Sequence, residues 1–414
     1  MMTVPIRRDN VCRLCGSENI TTVFHLTPTP PEDRFVSKEQ LHVPQEVYPL
    51  DLGLCKDCGY LHLLFVLSPE ISYPDYIYVT KVTLGLSNHY QEYADQILEM
   101  EQPVNDSLVV DLGSNDGTML AAFKRRNMRV LGVEPGRAIA RAANEAGMPT
   151  ICDFFTDQVA GEIVRKHGKA SIVTANYMYA NIDDVVNFTR NVAMLLSADG
   201  IFVVQTGYHP EQMKLKMFDY IYHEHFSYFT LKVLQKLFAK CGLELIDAQK
   251  IPAKGGSIRV VAQLVGGQRS VHPSVTEIIH EEESEGMGRP ETYIRFGKEI
   301  DQVKSEMLAL LFSIKAEGNR IVGYGASHST TTLTYHFELG RFLDYIVDDN
   351  PLKHGLYSPG YHLPVYPPQR IFEDKPDYVI ILAWQYQKQI LANNQSFFEK
   401  RGKFIVPLPI LKVI

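Results

Sequence analysis

The sequence predicts an α/β protein of three parts: a small cysteine-stapled unit, a Rossmann-like unit, and a second Rossmann-like α/β unit at the C-terminus. Three observations predict it. Two CxxC pairs, Cys12 with Cys15 and Cys55 with Cys58, stand near the start. Apolar runs alternate with amphipathic stretches from residue 108 to residue 205, and the alternation restarts near residue 320. That rhythm implies parallel strands covered by helices. We place the parts at 1–75, 76–250 and 251–414, because 414 residues exceed a single core of roughly 100–200 residues.

Composition narrows the class. With 45% hydrophobic and 21% charged residues the chain is globular, neither fibrous nor disordered. No run approaches the ~20 apolar residues that span a bilayer. The opening MMTVPIRRDN has no apolar signal region, so we expect a cytoplasmic protein with no membrane partner. A net charge of -7 argues against nucleic acid and for small-molecule partners. Three mutually covering domains give no reason to need a second copy, and a monomer is expected.

The first element is the pair of knuckles. A two-residue spacer lets two thiolates meet one ion, and Gly16 and Gly59 suit the turns that follow. In a chain without a secretory signal this reads as metal before disulfide. Cys12, Cys15, Cys55 and Cys58 would fill a tetrahedral zinc site completely, which makes the zinc structural; the bland reading is unligated buried thiols.

Residues 72–100 begin aromatic (SYPDYIYVT) and become helical in pattern, bridging into the second unit. There we expect strands at 108–112, 129–134, 171–175 and 201–205 and helices at 119–126 and 137–146. The peptide VVDLGSNDGTML sets Asp111 at a strand end and Gly113, Asn115, Asp116 and Gly117 in a tight loop before a helix. About twenty residues on, VLGVEP ends the next strand in Glu134, where a carboxylate can accept the ribose hydroxyls of an adenosine. That spacing also fits a dinucleotide. The loop, however, carries acidic side chains where a pyrophosphate would sit, and these favour the cationic methionyl part of S-adenosylmethionine. Asp153 and Phe154 either flank the adenine or, for Asp153, cap a helix.

The segment FDYIYHEHFSYFT gathers Tyr222, Glu224, His225 and further phenols. A base, a carboxyl group and hydroxyl donors in one short peptide suit proton abstraction beside a carbonyl, against the plainer reading of metal ligands or core histidines. A helical stretch over 275–314 leads to the last unit, with strands at 320–323, 345–347 and 378–382. Its loop RIVGYGASHSTTTL offers Gly325, Ser327 and Ser329 at a helix start, a phosphate-binding arrangement. DYIVDDNPLKHG adds Asp348 and Lys353 near the next strand end.

The knuckle pairs, DLGSNDG with VEP, YHEHFSYF, the GGSIR peptide and GYGAS together resemble the sugar C-methyltransferases over nearly the whole chain. Closest in pattern are those that methylate C-3' of nucleotide-linked 4-keto-6-deoxysugars, as in tetronitrose formation. The resemblance implies transfer from S-adenosylmethionine through an enolate, with thymidine diphosphate as the usual handle. It implies His225 as the base, Glu224 and Tyr222 shaping its surroundings, and Tyr76 reaching in from the first domain. It puts Lys254, Ser257 and Arg259 at the site wall and gives the last domain the nucleotide part of the substrate. Asn181 and Lys254 depart from it, each standing where the pattern has histidine. An amide cannot titrate usefully, whereas a cation at Lys254 could stabilise an enolate oxygen. Rival readings are an NAD-dependent nucleotide-sugar oxidoreductase and an inactive zinc-containing binding protein.

Overall fold

The structure is a computed structural model and describes residues 6–68, 86–399 and 402–414. Its first part holds β1 (Ile6–Arg8), β2 (Ile20–Thr29), β3 (Tyr48–Cys55), β4 (Leu61–Leu63) and β5 (Phe65–Leu67). β2, β3 and β4 pair antiparallel, and β1 pairs with β5.

The middle part has β6 (Leu108–Leu112), β7 (Arg129–Val133), β8 (Thr150–Ile151), β9 (Ala170–Asn176) and β10 (Leu196–Gly207), then β11 (Ser227–Tyr228), β12 (Leu243–Ile251) and β13 (Ser257–Leu264). Its seven-stranded sheet runs β12-β13-β10-β9-β6-β7-β8. β6 to β10 are parallel, and β13 lies antiparallel between β10 and β12. β6 is buried throughout, as a continuous apolar run covered on both faces requires. β11 leaves this sheet and pairs with β4, forming the fourth strand of the first sheet.

The last part has β14 (Ile321–Tyr324), β15 (Ile346–Val347), β16 (Val365–Tyr366), β17 (Tyr378–Ile381), β18 (Lys403–Val406) and β19 (Lys412–Val413). They lie in the order β16-β15-β14-β17-β18-β19. Both large sheets therefore reverse direction beside their first strand, between β6 and β9 and between β14 and β17. Ligands of open α/β sheets bind at the carboxyl ends of strands at such switch points.

The expected strands are present within a residue or two of their predicted limits, apart from β10, which begins five residues earlier. One expectation changes. The helical stretch over 275–314 is two helices, Pro273–Ser284 and Pro290–Ala316, parted where Gly286 takes φ +73° and Pro290 starts the second. The 250/251 boundary falls inside β12, before its last residue Ile251, and β13 beyond it pairs with β12 in the same sheet.

The first part is a wedge between the other two. Cys12, Cys55 and Cys58 of the knuckles, with Leu14 and Tyr60, join the core on one face of the middle sheet. Phe24, Leu26, Leu50 and Leu52 join the core of helix Pro290–Ala316 and the last sheet. Among the described residues no helix is long and apolar enough to cross a membrane.

Candidate active site

The knuckles turn at Gly16 and Gly59, both at φ +82°. Gly16 N donates to Cys12 O and Gly59 N to Cys55 O, so the two turns match and their sulfurs converge. All four Sγ atoms lie within 4.8 Å of one another. The Cys12–Cys58 and Cys15–Cys55 separations are 3.5 and 3.6 Å. Four sulfurs at the Zn–S length of about 2.3 Å require tetrahedral edges close to these, so the donor set fits structural zinc. Helix Leu231–Lys240 of the middle part holds both knuckles: Lys236 Nζ donates to Cys58 O (2.7 Å) and Lys240 Nζ to Leu14 O (2.6 Å).

At the first switch point Asp111 is buried and accepts a hydrogen bond from Thr174 Oγ1 at 2.6 Å. Burial, with Glu134 nearby, pushes its carboxyl up to about 7. Gly113 sits at φ +69°, and a Cβ there would meet Met178 at 2.7 Å. Glu134 Oε2 accepts from Asn115 N (3.0 Å) and Oε1 from Gly136 N (2.8 Å). Each oxygen keeps a lone pair for a ligand hydroxyl. Two carboxyl groups and a close-approach glycine beside open space fit S-adenosylmethionine. Asp116 instead accepts from Thr118 N (3.1 Å) and Oγ1 (2.5 Å), starting helix Thr118–Lys124. Gly117 packs toward Met148. Asp153 accepts from Phe154 N, while Thr156 caps helix Asp157–His167; the capping alternative for Asp153 therefore falls away.

The aromatic segment is held by all three parts. Arg13, between the first two knuckle cysteines, donates to Phe226 O at 2.6 Å. Glu32 accepts from Glu224 N (2.8 Å) and faces His223 Nδ1 (3.3 Å). Trp384 Nε1 donates to Asp219 (2.9 Å), and Tyr220 Oη to Gln385 Oε1 (2.7 Å). Within this clamp His225 Nδ1 lies 3.0 Å from Tyr220 O, which makes Nδ1 the protonated nitrogen. Nε2 then accepts from Tyr222 Oη at 2.9 Å, and the two rings stack at 4.0 Å. Burial lowers His225 to about 4. Burial, then Glu32 and Asp33, push Glu224 well above the usual carboxylate range, the direction that favours its protonated, hydrogen-bond-donating form.

Lys254 Nζ stands 4.0 Å from the centroid of the Tyr177 ring, and burial lowers the amine to about 8. Arg259 is buried along β13 and donates to Gln205 (3.0 Å) and Gln96 (2.6 Å). Ser257 donates to Ala253 O at 2.9 Å. Asn181 Oδ1 is buried with no hydrogen-bond partner among the described residues. Tyr76 lies outside the described residues.

At the second switch point Gly325, φ +110°, presses on Ala383, where a Cβ would meet a backbone nitrogen at 2.7 Å. Ser327 and Ser329 start helix His328–His336 and bond each other at 3.2 Å. Asp348 accepts from Ala326 N (2.6 Å), and Lys353 donates to Asp33 (2.5 Å) and Ala326 O (2.6 Å). Those two side chains shape the loop from behind.

One cavity of about 1480 Å³ among the described residues joins the two switch points. Gly113, Asn115, Glu134, Asp153 and Phe154 line one end, and Ser327 and Ser329 the other. Asn181, Tyr222, Glu224, His225 and Lys254 lie on its wall. Asp116, Gly117, Ser257, Arg259, Gly325, Asp348 and Lys353 fall outside its lining. Sequence reasoning missed Tyr177 and His328, which line it, and Glu32, which holds the segment from behind. Only the helix-start position of His328 was a signal in the sequence.

Comparison with known proteins covers each part. Residues 12–73 match a zinc binding domain, 86–248 a methyltransferase domain and 252–409 a C-methyltransferase C-terminal domain. The chain is 34% identical over 410 residues to the C-methyltransferase NovU of Streptomyces niveus, covering 99% of this chain and 98% of that protein. Similar solved structures include the CcbJ methyltransferase from Streptomyces caelestis, 14% identical with a TM-score of 0.33, covering 42% of this chain and 89% of that one. Another is an S-adenosylmethionine-dependent methyltransferase from Clostridium acetobutylicum, 10% identical with a TM-score of 0.34, covering 48% and 96%.

Proposed function

Because the chain belongs to the S-adenosylmethionine-dependent C-methyltransferases that carry an N-terminal zinc-binding domain, we propose that it methylates C-3' of a nucleotide-linked 4-keto-6-deoxysugar. The observation that carries the reading is the Tyr222–His225 pair, 2.9 Å apart on the wall of a cavity that joins two switch points. S-adenosylmethionine, when bound at the end lined by Gly113 and Glu134, supplies the electrophilic methyl group.

A ketone at C-4' acidifies the C-3' hydrogen, and the residues do the rest. His225 Nε2 is a neutral acceptor whose hydrogen-bond donor is the Tyr222 hydroxyl. A C-3' proton therefore passes to the phenol oxygen as the phenol proton passes to Nε2, or to Nε2 directly once Tyr222 turns aside. Charge develops on the C-4' oxygen. Glu224, in its protonated form, and Lys254, as an ammonium, are the donors available to it. The helix start at Ser327 and Ser329 suits a diphosphate, with thymidine diphosphate the handle implied by family resemblance.

The test is incubation of the zinc-replete protein with a thymidine-diphosphate 4-keto-6-deoxysugar and carbon-13 methyl donor. A methyl carbon bonded to C-3' in the NMR spectrum is expected. A methyl on oxygen or nitrogen, or hydride exchange with NAD, overturns the reading.

A further inference from the structure

Three residues without glycine's freedom occupy the left-handed region inside the cavity: Asn115 at φ +50°, in the loop after β6, Tyr177 at φ +55°, after β9, and Lys254 at φ +50°, between β12 and β13. Such backbone persists only where its surroundings over-determine it, and it gathers at functional sites. Tyr177 and Lys254 meet, with the lysine ammonium 4.0 Å from the ring centroid. The ring is itself fixed. Its hydroxyl accepts from Gln205 Nε2 at 2.9 Å, and Gln205 Oε1 accepts from Arg259 Nε at 3.0 Å. Arg259 stacks on Tyr93 at 4.1 Å. Gln205 and Arg259 are register partners across β10 and β13, so the middle sheet sets the ring's position.

We propose that Tyr177 is a positioning residue for Lys254: its ring, fixed through the hydroxyl by Gln205 and Arg259, holds the ammonium between the methyl-donor and sugar ends of the cavity, where the enolate oxygen forms. This rests on the enolate reading above. It gives Arg259, which does not line the cavity, a role through Tyr177. It also explains how a flexible side chain can act as an oriented cation. Without the ring, the four-carbon stem spreads over many rotamers and the cation loses its aromatic partner.

The test compares the full-length zinc-replete protein with Tyr177→Leu, Tyr177→Phe, Lys254→Met and the Tyr177→Leu/Lys254→Met double variant. Three quantities are read: affinity for S-adenosylhomocysteine, wash-in of solvent deuterium at C-3' of the keto sugar, and the Lys254 titration by carbon-13 NMR of labelled lysine. His225, His328 and Glu224 share the cavity with Lys254, and both histidines, lowered chiefly by burial, are lowered further by the lysine's charge, so their titrations are followed in the same samples. Expected are exchange slowed about 10–30-fold in Tyr177→Leu, a Lys254 titration moved to lower pH, and unchanged S-adenosylhomocysteine affinity. Tyr177→Phe keeps the ring but loses the hydroxyl that Gln205 holds, so its exchange rate and Lys254 titration fall between those of wild type and Tyr177→Leu. The double variant is no slower than Lys254→Met, because both changes remove one device. An unmoved Lys254 titration in Tyr177→Leu, fully multiplicative effects, or affinity falling in step with exchange overturns the proposal. Failure of the wild type to exchange overturns the enolate reading instead, and the lysine titration still tests the Tyr177–Lys254 pair.

Discussion

Replacing Tyr222 by Phe removes one oxygen and separates the two proton routes open to His225. In the structure Nδ1 is committed to Tyr220 O, and the hydrogen bond to Nε2 comes from Tyr222 Oη at 2.9 Å. If the phenol relays the proton, Tyr222→Phe removes the group that touches substrate. The loss should then approach the whole of general base catalysis, about 10²–10⁴-fold, or roughly 3–5 kcal/mol of barrier. Stacking at 4.0 Å is kept by phenylalanine, so the imidazole should stay in place. The assay is loss of deuterium from C-3' of labelled keto sugar with S-adenosylhomocysteine bound, which isolates the proton step from methyl transfer. Exchange within about threefold of wild type would refute the relay and leave Nε2 acting directly.

Other expectations follow from the same geometry. Glu134→Gln puts an amide NH₂ against one of two backbone donors, Asn115 N or Gly136 N, and should weaken S-adenosylhomocysteine binding about 10–100-fold by calorimetry. Exchange at C-3' needs His225 neutral, a state lost as pH falls through about 4, and Lys254 charged, a state lost as pH rises through about 8. A plateau between those limits is expected in the pH–rate profile, and a profile still rising well above about 8 would remove the lysine from the reaction. Stripping zinc should release the knuckles and with them Arg13, which donates to Phe226 O beside His225. C-3' exchange should then fall before S-adenosylhomocysteine affinity does, and zinc-free protein with unchanged exchange would show that the knuckle does not support the site.

Much of the architecture was legible because it rests on local signals. The CxxC spacing marks a closed metal site, and the buried runs at β6 and β9 mark strands covered on both faces. The break between Pro273–Ser284 and Pro290–Ala316 escaped notice because the apolar spacing on either side reads as one helical run. In the sequence DLGSNDG looks like a loop in which each residue could meet the ligand. The fold divides the labour: Gly113 and Asn115 line the cavity, whereas Asp116 starts a helix and Gly117 makes room for Met148. Asp348 and Lys353 likewise brace a loop from behind. Tyr177 was illegible because its role depends on a left-handed backbone and on partners 28 and 77 residues away, Gln205 and Lys254. Glu32 was illegible for the same reason, since its partners His223 and Glu224 lie some 190 residues on.

The pairing of β11 with β4 bears on how such a protein can be dismantled. Ser227 and Tyr228 belong by sequence to the methyltransferase domain and by hydrogen bonds to the first sheet. Expressed alone, the first domain would present β4 as a bare edge, a template for self-association. The methyltransferase domain alone would lose the strand and the Arg13 and Glu32 contacts that fold 218–228. Chimaeras that exchange acceptor specificity between relatives should therefore move residues 218–228 together with the N-terminal domain, a discontinuous cassette that no cut at a linker would recover.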